Sequence, residues 1–173
     1  KFTFADQDYI LRPLSPSDER KLQEFFYSHN KETLIMRYNH HMTQLTREKS
    51  CSLVSVNQHI DLALCFTRKD HLGEFIQGVA RYYYIESLNS GEVAFVIKES
   101  LRGRGMASTL LGELIKIAKL RNLDCLVACV RRDNASMLKV FEKAGFIRKP
   151  SDDYDEISLK LCFKETEVNS VAE

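Results

Sequence analysis

Arg102-Gly103-Arg104-Gly105-Met106-Ala107 stands between an apolar strand-like run, Glu92-Val-Ala-Phe-Val-Ile97, and a long amphipathic run that ends near Asn122. Two glycines at a strand-to-helix turn let the backbone approach an anion closely, because no Cβ intervenes. The following helix points its first free N–H groups and the positive end of its dipole at the same place. Arg102 and Arg104 add fixed charge with planar donors, so the stretch reads as a cradle for a diphosphate.

Working outward, Met106, Leu110, Leu111, Leu114, Ile115, Ile117 and Ala118 give the amphipathic helix its apolar face. Cys125–Val130 is a continuous apolar run, as expected for a strand covered on both faces. Asp133 or Asn134 then caps a helix whose apolar positions are Met137, Leu138, Val140 and Phe141, with Gly145 at its C′ position. Phe146-Ile147 and Glu156–Phe163 supply the last strands. Upstream, Tyr9–Leu14 is a short first strand, and Ser15-Pro16-Ser17-Asp18 opens a helix that buries Leu22, Phe25 and Phe26. His29 to Lys49 reads as one or two short helices with loops. Cys51–Val56, Ile60–Phe66, Phe75–Ile85 and Glu92–Ile97 read as four successive strands of an antiparallel meander. The architecture expected is α+β: a mixed, mostly antiparallel sheet of about six or seven strands, with helices on both faces.

The chain has 173 residues, 44% hydrophobic, with a formal net charge of +1. That is enough for one sizeable core. The near-neutral balance gives no electrostatic case for nucleic acid or an anionic membrane, so neither is expected as a partner. Residues 1–8 read as a lead-in, 9–164 as one domain, and 165–173 as a polar tail. Cys51, Cys65, Cys125, Cys129 and Cys162 contain no C-x-x-C pair and read as buried free thiols, which points to a reducing, cytoplasmic setting. No metal is expected. His29, His40, His41, His59 and His71 read as surface residues. A first residue other than Met is consistent with one domain of a longer protein.

The Glu92–Ile97 run, Leu101-Arg-Gly-Arg-Gly-Met-Ala107 and Asn134-Ala-Ser-Met-Leu-Lys-Val-Phe-Glu-Lys-Ala-Gly-Phe146 together resemble the GNAT acetyltransferase superfamily. Its phosphate motif is Arg or Gln, two residues, Gly, one residue, then Gly or Ala. Arg102, Gly105 and Ala107 meet it, and the likeness spans roughly Tyr9 to Phe163. Within the superfamily, Ile10-Leu-Arg-Pro-Leu14, Asp18-Glu19 and Met36-Arg37-Tyr38 resemble bacterial and archaeal protein-lysine acetyltransferases that modify acyl-CoA synthetases.

The resemblance implies an N-acetyltransferase with acetyl-CoA as donor and a primary amine as acceptor, attacked directly in a ternary complex. The acceptor implied is a protein lysine, as on an acyl-CoA synthetase. A small amine, or a non-catalytic acyl-CoA-binding regulatory domain, are the alternatives. Gly103, Arg104, Gly105, Met106 and Ala107, with Arg102, would hold the diphosphate. Backbone at Val96 and Ile97 would follow the pantetheine arm, and Asn134 and Phe141 would complete the cofactor site. A lysine ammonium, with an unperturbed pKa of about 10.4, cannot attack a thioester until it loses a proton. Glu92 is the implied general base, desolvated by Val93, Ala94 and Phe95. Many relatives carry, where this chain has Phe141, a tyrosine that protonates the CoA thiolate. Phe has no proton to give; a thiolate with a pKa of about 8.5 is a tolerable leaving group that water could protonate, and Tyr82, Tyr83 and Tyr84 are the substitutes to weigh.

Overall fold

A computed structural model describes residues 1–38, 44–151 and 153–163. His40, His41, Met42 and the polar tail over 165–173 lie outside the described residues. The strands are β1 (Phe2–Phe4), β2 (Gln7–Pro13), β3 (Leu62–Asp70), β4 (Gly73–Ile85), β5 (Ser90–Ile97), β6 (Cys125–Arg131), β7 (Ile147–Lys149) and β8 (Glu156–Cys162). They form one sheet in the order β1-β2-β3-β4-β5-β6-β8-β7. Every neighbouring pair is antiparallel except β5 and β6. The extra strand relative to expectation is β1, inside the segment read as a lead-in; its Phe2 and Phe4 pack edge-on against Phe66.

Among the described residues five α-helices accompany the sheet: α1 (Glu19–Tyr27), α2 (Lys31–Tyr38), α3 (Arg47–Val54), α4 (Met106–Leu120) and α5 (Ala135–Lys143). The strand pleat divides the core between two faces. On one face Val93, Phe95 and Ile97 of β5 join Leu110, Leu111 and Leu114 of α4 and Leu138 and Phe141 of α5. On the other, Val79 and Cys65 meet Leu22, Phe25 and Phe26 of α1 and Leu53 and Val54 of α3, with Val96 packed against them.

Three expectations need correcting. Cys51–Val56 is not a strand: residues 51–54 end α3, where Thr46 accepts a hydrogen bond from the Lys49 amide as N-cap and Ser50, Leu53 and Val54 are buried. The meander therefore has three strands, β3 to β5. The cysteines are not all buried free thiols. Cys125 and Cys162 are register partners across β6 and β8 and form a disulfide, while Cys129 is exposed. His29 is not a surface residue; its side chain is 1% exposed.

A half-buried ionic cluster around the buried Asp18 ties β2, α1 and β4 together. Arg12 donates two hydrogen bonds of 2.7 Å to the Asp18 carboxylate, and Lys21 donates to Glu74 at 2.6 Å. Thr67 adds a third donor to Glu74 at 2.9 Å. Burial would push Asp18 up, yet Arg12 and the Ser15 amide hold it well below the usual carboxylate range. The Lys21 hydrogen bond, reinforced by Arg12 and Thr67 against burial, holds Glu74 at about 2.

Candidate active site

β5 and β6 pair only from Ser90–Glu92 to Cys125–Val127, although both strands run on. Past Glu92 they diverge, so β5 loses its ladder partner on that side and its backbone polar groups there face open space. A cleft of about 720 Å³ fills the gap, walled by Phe95, Val96 and Ile97 of β5, the start of α4, and α5. Backbone without a strand partner along one wall and a helix N-terminus at the end suit an extended ligand with an anionic group.

The Gly/Arg turn folds as its residues dictate. Gly103 and Gly105 have φ of +71° and +86°, the left-handed region where a Cβ is strained. Gly105 is the N-cap of α4 and has no side chain to satisfy the first amides of the helix. Those amides are left for a ligand. Arg102, Gly103, Gly105, Met106 and Ala107 all line the cleft; Arg104 is exposed and does not.

Asn134 lines the cleft and also caps α5, its Oδ1 accepting from the Met137 amide at 3.3 Å. Phe141 does not reach the cleft. It is 2% exposed, with its ring 5.4 Å from Phe95 and 4.9 Å from Phe146, and it supports the cleft from beneath. Its ring packs in the core, and the contact with the cofactor expected of it is not matched by a place on the cleft wall.

Glu92 stands at the last paired position before the strands part, on the β5 face opposite α4. The desolvation expected of it is absent: the side chain is exposed, because alternation turns Val93 and Phe95 to the other face. Its cross-strand neighbour is Tyr83. The three consecutive tyrosines have different surroundings. Tyr82 is fully buried and its hydroxyl accepts from Arg121 at 2.8 Å, and Tyr84 donates to Asn89. Tyr83, 39% exposed, shares the face of Glu92, with buried Arg81 stacked 5.8 Å from its ring centroid. Beyond Glu92 on this face, burial raises Glu156, helped by the charges of Asp153 and Glu92.

Sequence reasoning missed the wall opposite α5. Glu32, Thr33 and Arg37 of α2 line the cleft, as do Lys139 and Lys143 of α5. Thr33 carried one legible signal, the Asn30 N-cap that receives its amide at 2.8 Å. Its pairing with Glu99 spans 66 residues and carried none.

Comparison with known proteins agrees with this geometry. The chain is 27% identical over 142 residues to Acetyltransferase Pat of Mycolicibacterium smegmatis, covering 80% of this chain and 41% of that protein. It thus spans less than half the length of that relative. The GNAT domain of S. lividans PAT superposes with a TM-score of 0.85 at 23% identity, over 94% of this chain and 95% of that one. YncA of Salmonella typhimurium, solved with its cofactor acetyl-CoA, gives 0.71 at 14% identity over 95% and 99%. Residues 8–147 match the acetyltransferase (GNAT) domain model, and with the splayed strands and glycine turn in place, this chain belongs to the GNAT acetyltransferase family.

Proposed function

We propose that the chain transfers an acetyl group from acetyl-CoA to a protein lysine, with Glu92 as general base. The observation that carries the reading is the convergence of the open β5 edge and the Gly105-capped α4 on one cleft. The diphosphate of the donor lies on the amides of Gly103 to Ala107, with Arg102 beside it. The pantetheine arm runs along Val96 and Ile97, and Asn134 contacts it from α5. A backbone N–H near Ile97 stabilises the oxyanion of the tetrahedral intermediate.

The acceptor enters from the face that carries Glu92. Part of that face is covered by α1 and α3, but around Glu92 and Tyr83 it is exposed, which suits a lysine presented by a macromolecule better than a small enclosed cation. Glu92 takes the ammonium proton, directly or through one water, the free amine attacks the thioester carbon, and as the C–S bond breaks the nitrogen gives up its second proton to solvent, leaving a neutral amide. The thiolate then takes a proton. Tyr83 is the tyrosine we assign to that step, since Tyr82 is sealed in the core and Tyr84 is engaged with Asn89. The likeness to Acetyltransferase Pat supports a protein acceptor, and an acyl-CoA synthetase is the candidate to try first.

Thiol release from acetyl-CoA, measured across a panel of proteins and small amines, tests the reading. Turnover with a protein lysine, lost in Glu92→Gln, is expected. Turnover only with small amines would reassign the acceptor, and tight CoA binding without any transfer would make the domain a sensor.

A further inference from the structure

Glu99 lies in the short turn Glu99–Leu101 that links β5 to the phosphate turn. Its carboxylate reaches across to the α1–α2 junction. It accepts from the Thr33 hydroxyl at 2.7 Å, the Asn30 amide at 3.0 Å and His29 Nδ1 at 3.2 Å. A hydroxyl has a single proton, and Thr33 gives it to Glu99. The contact between Thr33 Oγ1 and Arg102 Nη2, 2.6 Å, therefore has Arg102 as donor. The order is carboxylate, hydroxyl, guanidinium.

That order has a consequence for the cleft. Glu99 and Arg102 are three residues apart and of opposite charge, and a direct bidentate pair would draw the guanidinium off the cleft. Thr33, itself buried, donates to Glu99 Oε1 and accepts from Arg102 Nη2, which uses one of the five guanidinium donors. Arg102 lines the cleft and has no carboxylate within salt-bridge distance among the described residues. Burial would raise Glu99, but the donors from Thr33 and Asn30 outweigh it and hold it at about 2. The interposed hydroxyl thus faces an ionised carboxylate throughout the neutral range.

We propose that Thr33 and Glu99 are positioning residues for the donor site: they present the Arg102 guanidinium to the diphosphate and fix α2 as the opposite wall. The inference rests on the cofactor placement proposed above. Neither residue touches the reacting atoms, so its signature is a change in donor binding that depends on Arg102.

The test is calorimetric titration with coenzyme A of the native chain, Thr33→Val, Thr33→Ser, Arg102→Gln and the Thr33→Val/Arg102→Gln double variant, each checked for a native melting transition. Thr33→Ala replaces Thr33→Val should the latter fail to fold. Loss of the hydroxyl is expected to weaken binding about tenfold, and serine to restore it to within about twofold. In the Arg102→Gln background the same loss should cost less than about twofold. In turnover, KM for acetyl-CoA should rise while kcat stays within about twofold. An equal loss in both backgrounds, or none in the native one, overturns the positioning role. A native chain that does not bind coenzyme A, or an Arg102→Gln variant that binds like native, overturns the cofactor placement itself.

Discussion

In the proposed mechanism turnover depends on Glu92, whose side chain is exposed on β5. Glu92→Gln should lower kcat by about 10²- to 10⁴-fold while leaving the affinity for coenzyme A unchanged, as read by steady-state kinetics beside calorimetry. An unchanged kcat would assign the base elsewhere. Asp18 is the opposite case, a charge buried for structure. Removing its carboxylate as Asp18→Ala leaves Arg12 with Glu74 as its remaining carboxylate partner, and chemical denaturation should show a loss of about 1.5–3 kcal/mol. The acid limit of stability follows from the same group of carboxylates. Glu74 and Glu99 have folded values of about 2 against an ordinary 4.5. Both are depressed, so their stabilisation is full above about 4.5 and is lost as the pH falls toward about 2. Urea midpoints should decline across that window, less steeply in Glu74→Gln; a flat profile would contradict the assignment. In the sequence the glycine turn before α4 was legible and the environment of Glu92 was not. Gly103 and Gly105 declare a backbone need by themselves, whereas the face taken by a strand residue depends on which helices cover the sheet.

At the scale of elements, α4 shows what local pattern conveys. Its start at Met106 and its apolar stripe are set by neighbours in sequence, and Leu110, Leu111 and Leu114 are fully buried as the 3.6-residue period requires. Substituting Gly105 by alanine tests the cap: nothing stands within 4 Å of an added Cβ, so its cost comes from the φ of +86° alone. A loss of about 1–2 kcal/mol in stability and a weaker grip on coenzyme A are expected from thermal melts and titration. Unchanged values of both would mean that the turn is not conformationally selected. The α3 segment shows the reverse. Cys51-Ser-Leu-Val-Ser-Val56 looks strand-like residue by residue, but Thr46 caps a helix and Ser50, Leu53 and Val54 fall at helical spacing. Thr46 is the sequence signal for a helix there, and the short apolar run by itself points to a strand. Phe141 was legible as an apolar position of α5, while its place between Phe95 and Phe146 depends on the elements packed around it.

For the whole molecule, the long-range pairings were the illegible part. The three-stranded meander and the β5–α4–β6 crossover follow from chain order. The insertion of β8 between β6 and β7 does not, and with it goes the cross-strand meeting of Cys125 and Cys162. That disulfide closes 37 residues that include α5 and one wall of the cleft. The Cys162→Ser variant should lose about 2–4 kcal/mol of stability by denaturant titration. A native-like midpoint in Cys162→Ser would show that the two thiols are unpaired in solution. The central claim, that the amides opening α4 grip the diphosphate of coenzyme A, is tested most directly by amide NMR during titration with coenzyme A. The Gly103, Gly105, Met106 and Ala107 resonances are predicted to shift together and saturate with a single dissociation constant. Saturating ligand that leaves those four amides unmoved would contradict it.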